Sequence, residues 1–155
     1  MSKPVDQLDF WKKRIEQAED IHHSVFLVDT VEWEKIASAH KETIQKLVSG
    51  KVLDAGCGYG RASEWVDDYT GVDFSPDFIA KAKELYPNKE FLCSKLEALP
   101  FEDKYFDWSF CISIKKMVQA NLGEERWGLM EKELKRVSKN LLILEYGDPA
   151  SYEVL

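Results

Sequence analysis

The amino-acid sequence predicts an α/β fold: an open, mostly parallel five-stranded sheet with helices on both faces and an N-terminal helical cap. Three observations carry this reading. Five short apolar runs follow Lys51, segments of helical period separate them, and the stretch before Gly50 shows helical period alone. Strands that alternate with helices imply parallel neighbours joined by right-handed crossovers, which place helices on both sides of a sheet.

Taken in order, residues 8 to 49 contain no Gly or Pro and read as two helices. Leu8, Trp11, Ile15, Ala18 and Ile21 recur at three and four residues, which puts them on one face of a helix near 7 to 21. HHSVFLVDT interrupts that pattern. A second helix is expected from Thr30 or Val31 to Val48, with Asp29 or Thr30 as its N-cap and Gly50 as its stop. The expected strands are VLDAGCG, TGVDFS, FLCSK, DWSFCIS and LLILEY. Between them, helices are expected at 61 to 68, at 76 to 86 with Pro76 in the first turn, and at about 123 to 139.

The 155 residues match one domain, divided as a helical cap over 1–49 and a ligand-binding core over 50–155. Charged residues make up 32% and hydrophobic ones 45%, the balance of a folded chain and not of a disordered one. No apolar run reaches the ~18 residues of a membrane span, and MSKPVDQLDF lacks a signal-peptide stretch, so no membrane partner and a cytoplasmic location are expected. Cys57, Cys93 and Cys111 are odd in number, far apart and without histidines at ligand spacing, which argues against disulfides and a metal site. A net charge of −7 opposes general attraction to phosphate backbones, so nucleic acid is not an expected partner.

The densest signal is Val52-Leu53-Asp54-Ala55-Gly56-Cys57-Gly58-Tyr59-Gly60-Arg61, a buried strand running into glycines. Glycines there permit positive φ and close approach of the backbone to a ligand, and a following helix would offer unpaired N–H groups. Asp73 ends the next run, where a carboxylate can accept hydrogen bonds from both ribose hydroxyls. A dinucleotide fingerprint would require glycine at 61, where Arg61 stands, so a pyrophosphate site and a nicotinamide-dependent dehydrogenase are disfavoured.

VLDAGCGYG, GVDFSPDFIAKAK, LEALPFEDKYFDWSFCIS and ELKRVSKNLLILEY, in this order and spacing, resemble the successive motifs of class I S-adenosylmethionine-dependent methyltransferases over about residues 50 to 147. The resemblance implies a Rossmann-like sheet of strand order 3-2-1-4-5 and S-adenosyl-L-methionine as cofactor. By the same resemblance, Asp54, Ala55, Gly56, Cys57, Gly58 and Gly60 would surround the methionine end, Asp73 would hold the ribose, and Phe74 would lie against adenine. Lys95 stands where this family often has an acidic residue for the adenine amine, and lysine cannot accept a hydrogen bond. That task then falls to the backbone at Leu96 or to Glu97. Cys111 and Ile112 would flank the transfer site. The Lys-Pro-Gly-Gly turn usual before the fifth strand is replaced by Ser138-Lys139-Asn140, with Asn140 best able to turn left-handed.

Methyl transfer from a sulfonium needs alignment and water exclusion more than a base, so no catalytic residue is assigned. His22 and His23 are substrate-side candidates where the two N-terminal helices break, as is Tyr146 after the fifth run; Trp11, Phe26 and Trp33 suit either a pocket or a core, and Arg14 could meet the cofactor carboxylate. The signatures of amino methylation on bases and of pyrimidine methylation are both absent. A small-molecule acceptor is therefore expected. The alternative is a cofactor-binding regulatory module without turnover. Related proteins continue into an antiparallel hairpin, and its absence would bare the edge of the fifth strand and favour a homodimer.

Overall fold

The computed structural model describes residues 6–18, 30–146 and 151–155. In chain order the elements are α1 (Gln7–Gln17), α2 (Thr30–Leu47), β1 (Lys51–Ala55), β2 (Asp68–Asp73), α3 (Pro76–Leu85), β3 (Glu90–Cys93), β4 (Phe106–Ile112), α4 (Lys115–Leu122), α5 (Glu124–Val137), β5 (Ser138–Leu144) and β6 (Tyr152–Val154). The sheet order is β3-β2-β1-β4-β5-β6. The first five strands are mutually parallel, as the alternation of runs and helices requires.

Alternate residues of the central strands serve two cores, because successive side chains of a strand point to opposite faces. Leu53, Ala55, Leu141 and Ile143 pack with Leu134 and Val137 of α5 on one face, whereas Val52, Leu142 and Leu144 pack with Ile44 and Val48 on the other. Thus α2, within the expected N-terminal helical region, packs directly on one face of the sheet. By contrast α1 buries none of its residues, although Asp6 caps it by accepting from the amides of Leu8 and Asp9. Ser75 caps α3 by accepting from the Phe78 amide, with Pro76 pre-set for the first turn.

Four expectations are corrected. The sheet has six strands, because β6 pairs antiparallel with Leu142–Leu144 of β5. The bare β5 edge on which a dimer was expected is therefore covered. Residues 61 to 68 form no helix; bonds from Gly60 to Cys57, Ser63 to Gly60 and Trp65 to Ala62 make consecutive tight turns instead. The short helix α4 was not expected, since it buries only Val118 and so shows little apolar period. Finally, β5 begins directly after α5, so no left-handed turn is needed at Asn140, which lies opposite Trp108 in the sheet. Left-handed non-glycine backbone occurs instead at Lys104 and Ser113. No helix among the described residues is long and apolar enough to cross a membrane.

Candidate functional site

A cavity of about 370 Å³ with a mostly apolar wall opens at the carboxyl ends of β1, β2 and β4. That volume falls within the ~300–1,000 Å³ of small-molecule sites. The position follows from topology: the crossovers leaving β1 and β4 diverge to opposite faces and leave a crevice between them.

Asp54 is the penultimate residue of β1 and is 3% exposed. Burial pushes its carboxyl up to about 7, against the opposing pull of a hydrogen bond from Tyr69 and of the positive charge on Arg61. The Tyr69 hydroxyl donates to Asp54 Oδ2 at 2.7 Å. The chain then turns through Gly56, Gly58 and Gly60, all at positive φ. The amides in this turn point inward: Gly56 and Cys57 both donate to the Val72 carbonyl, and Gly60 donates to the Cys57 carbonyl. Gly58 donates to Asp73 Oδ2 at 2.9 Å.

With those four N–H groups committed to the protein, the turn has little to offer a phosphate. What it can still present are the second lone pairs of its carbonyl oxygens, which suit a cation. The absence of a helix at 61 to 68 removes the N-terminal amides that a pyrophosphate site would use.

Asp73 sits at the end of β2, with Oδ1 accepting from the Ser75 amide at 2.9 Å. Burial raises its carboxyl to about 6, held from rising further by backbone donors at Ser75, Gly58 and Phe74. By hydrogen-bond geometry each oxygen takes one backbone bond, Oδ1 from Ser75 and Oδ2 from Gly58, while the Phe74 amide lies near without completing a third. A carboxylate has about four lone-pair sites, so each oxygen retains one for a ligand.

Of the expected cofactor residues, Asp54, Gly56, Cys57, Gly58, Asp73, Phe74, Lys95, Leu96 and Glu97 line this one cavity, together with Tyr146 from the substrate-side set. Ala55, Gly60 and Cys111 do not. Ala55 and Cys111 are fully buried in the core between the sheet and α5, because their strand positions face away from the cleft. Gly60 packs against the Phe91 ring, and a Cβ there would lie 2.7 Å from it. The Cys111 thiol, which burial pushes far up, is thus a core side chain, while its neighbour Ile112 reaches the cleft. Glu97 is engaged by Arg126, and Lys95 is exposed at the rim. His22, His23 and Phe26 lie outside the described residues.

Several lining residues were not among the expected site residues. Asp6, Gln7 and Leu8 join Trp11 in placing α1 over the opening, and Trp11 rests against Phe78 at 5.7 Å between ring centroids. Ser113, Ile114, Met117, Val118 and Leu122 come from the strand end and the short helix that the sequence reading passed over. Arg61 also lines the cleft, whereas Arg14 does not. A lone arginine after the glycines has no periodicity to reveal it. Among the described residues no group of His, Cys, Asp or Glu could hold a metal ion.

Comparison with known proteins agrees with this geometry. Residues 53–140, more than half of the chain, match the family model described as a methyltransferase domain. Over 61 residues the chain is 38% identical to the demethylmenaquinone methyltransferase of Chlorobaculum tepidum, a match covering 36% of this chain and 25% of that protein. Among solved structures, the PH0226 protein of Pyrococcus horikoshii OT3 superposes with a TM-score of 0.62 at 27% identity, covering 74% of this chain and 54% of that one. The DhpI–SAH complex shares the fold with a TM-score of 0.67 at 20% identity, over 90% of this chain and 67% of that one. The chain therefore spans about a quarter of the curated relative and about half of the PH0226 protein. A glycine turn with inward amides, a carboxylate at the end of β2 and the match over 53–140 together show that this chain belongs to the methyltransferase domain family.

Proposed function

We propose that the chain binds S-adenosylmethionine in this cleft and transfers its methyl group to a small-molecule acceptor. The observation that carries the reading is the pairing of a glycine turn whose amides are spent inward with a buried carboxylate, Asp73, that keeps lone pairs for a ligand. Such a turn suits an ammonium beside carbonyls, and such a carboxylate suits a ribose diol without a 2′-phosphate. The residues present thus fit an amino-acid-bearing adenosine and not a dinucleotide.

In this reading Asp73 takes the ribose hydroxyls and Asp54, with the carbonyls of the glycine turn, faces the ammonium. Phe74 lies against adenine. Lys95 cannot accept from the adenine amine, so the Leu96 backbone or the remaining oxygen of Glu97 does so. The cofactor, when bound, supplies a methyl group on an already activated sulfonium. The apolar wall of Ile112, Ile114 and Met117 excludes water, and α1 closes the opening through Trp11.

A cofactor-binding module without turnover is the second reading. One observation favours it: the described carboxylates of the cleft are all engaged, Asp6 as a helix cap, Asp54 with Tyr69, Asp73 with two amides and Glu97 with Arg126. No free base is thereby offered to an acceptor that must lose a proton. Calorimetric titration with S-adenosylmethionine and S-adenosylhomocysteine tests both readings, with micromolar binding expected and at least a tenfold loss in Asp73→Ala. If neither nucleoside binds, both readings fall. Product formation from pooled metabolites, followed by mass spectrometry, then separates the two: sustained turnover removes the module reading, and its complete absence removes the enzyme.

A further inference from the structure

At the carboxyl ends of β4 and β5, two hydroxyl groups keep hydrogens that the protein does not use. Ser113 Oγ accepts from the Tyr146 amide at 3.1 Å, and the Tyr146 hydroxyl accepts from Nη2 of Arg61 at 3.0 Å. Among the described residues neither hydroxyl donates a hydrogen bond. Both residues line the cleft.

Structural hydroxyls of this chain behave differently. Tyr69 donates to Asp54, Thr43 to the Ala39 carbonyl and Ser138 to the Leu134 carbonyl. Where an N–H already fills a lone pair of a hydroxyl, its single hydrogen must point elsewhere. At Ser113 and Tyr146 no protein group receives it. The guanidinium behind Tyr146 also polarises that hydroxyl and makes it a stronger donor. Arg61 thus acts through Tyr146 and touches no ligand in doing so.

Ser113 is held in place against its own backbone preference. Its φ of +58 is left-handed, a conformation that only Lys104 shares among the described non-glycine residues. Glycine would adopt it without strain, and such strain persists where the surroundings fix it, often at functional sites. Here the Ser113 amide donates to the Leu144 carbonyl at 2.8 Å while Oγ takes the Tyr146 amide, so one serine ties the end of β4 to the end of β5. The next side chain, Ile114, lies against the glycine turn, since a Cβ at Gly56 would run into it. Ile112, Ile114 and Met117 make the adjoining wall apolar.

We propose that the Ser113 and Tyr146 hydroxyls form a two-donor site for an oxyanion on the methyl acceptor, which makes that acceptor an ionisable enol or phenol on an otherwise apolar body. This rests on the function proposed above. Donors aimed at an ionised oxygen hold the anionic form in a site that excludes water. Such an acceptor gives its proton to solvent on binding and needs no base from the cleft, whose described carboxylates are engaged. The bound anion forms a bond to the methyl carbon with one of its own electron pairs, the methyl–sulfur pair stays with sulfur, and the two opposite charges cancel.

The probe is 4-nitrophenol, whose anion is read by its visible absorbance. Nitrobenzene is the control, because it keeps the ring and nitro group but lacks the phenol oxygen. Both are titrated calorimetrically into wild type, Ser113→Gly, which suits the left-handed backbone, and Tyr146→Phe, with and without saturating S-adenosylhomocysteine. Melting of each variant reports its folding. Wild type is expected to bind the anion more tightly than the neutral phenol, so that the bound probe ionises at a lower pH than the free one. Each variant should weaken the anion at least about tenfold, as loss of a hydrogen bond to a charged group does, and nitrobenzene less than about twofold. Failure of wild type to bind the anion, tighter binding of the neutral phenol, retained anion affinity in either variant, or equal losses for both probes overturns the proposal. If S-adenosylhomocysteine does not bind wild type, the function proposed above falls, and titration of the ligand-free protein decides the donor pair by the same criteria.

Discussion

The Gly58 amide and Asp73 Oδ2 are joined by a 2.9 Å hydrogen bond that fastens the glycine turn after β1 to the carboxylate ending β2. The other oxygen of Asp73 receives the Ser75 amide that leads into α3, so one side chain sets the spacing of both walls of the cleft. Replacing it changes architecture and binding together. Asp73→Asn keeps the shape but leaves a single accepting oxygen, so one of the two amides meets an NH₂ group. We expect about 1.5–3 kcal/mol of lost stability by thermal melting, the range for bonds to charged groups, and at least a tenfold loss of S-adenosylhomocysteine affinity. Unchanged melting would show that the clasp is not structural.

The turn glycines should differ in their tolerance of alanine. Gly60 has φ +84, and a Cβ would meet the buried Phe91 ring at 2.7 Å, so strain and overpacking add to about 2 kcal/mol or more. Gly56 has φ +79, but its obstacle is the flexible end of Ile114. About 1–2 kcal/mol is expected there. Gly123, at φ +93 with open space around it, should cost about 1 kcal/mol. A denaturation series that reversed this order would contradict the packing described.

Stability should fall as pH rises through the range in which the buried carboxyls ionise. Asp54 and Asp73 are raised to about 7 and about 6, so the folded state holds their protons more tightly than the unfolded chain does. Their contribution is full below the unfolded carboxylate range and is lost as pH climbs through the folded values. His40 acts oppositely: burial lowers it to about 4, so its contribution is present above the unfolded value and lost on acidification towards the folded one. Below about pH 6.5, the ordinary histidine value, the two effects offset each other, and above it the carboxyls act alone. Melting of the ligand-free protein between pH 6.5 and 8 should therefore slope downward, and Asp54→Asn should flatten the slope.

Removing Trp11 should separate retention of ligand from stability. No residue of α1 is buried, and Trp11 meets Phe78 at 5.7 Å over the cleft. Trp11→Ala is expected to change stability by less than about 1 kcal/mol, as positions outside the core usually do, while speeding dissociation of S-adenosylhomocysteine severalfold in stopped flow. A large drop in melting temperature with unchanged dissociation would assign Trp11 to the core instead.

Deleting residues 151–155 should restore the edge hazard that β6 relieves. The Leu141–Leu155 amide exchange and the pairing of Leu142–Leu144 with Tyr152–Val154 would be lost. The unpaired edge of β5 should then promote association. Sedimentation should show concentration-dependent oligomers in the deletion and fewer in the intact chain.

Much of this architecture was legible because its signals are local. Val52-Leu53 running into glycines, Asp73 closing the next run, and Ser75-Pro76 opening α3 each advertise their geometry through residue type alone. The short helix α4 and the three residues of β6 escaped notice because a single buried side chain, or none, leaves no period to read. The expected helix at 61 to 68 failed for a related reason: helical composition does not prevail where a short connection must return the chain to β2 at Asp68.

Composition and spacing thus specified the sheet, its parallel sense and the location of the cleft, since burial period and turn chemistry act within a few residues of one another. Tertiary structure alone decided that the glycine amides turn inward, that Cys111 belongs to the core and not to the site, and that Arg61 lines the cleft beside Trp33 and Tyr146. Those outcomes depend on contacts between segments far apart in the chain, where the orientation of a strand end and the packing of a distant helix select which donors and charges the ligand meets.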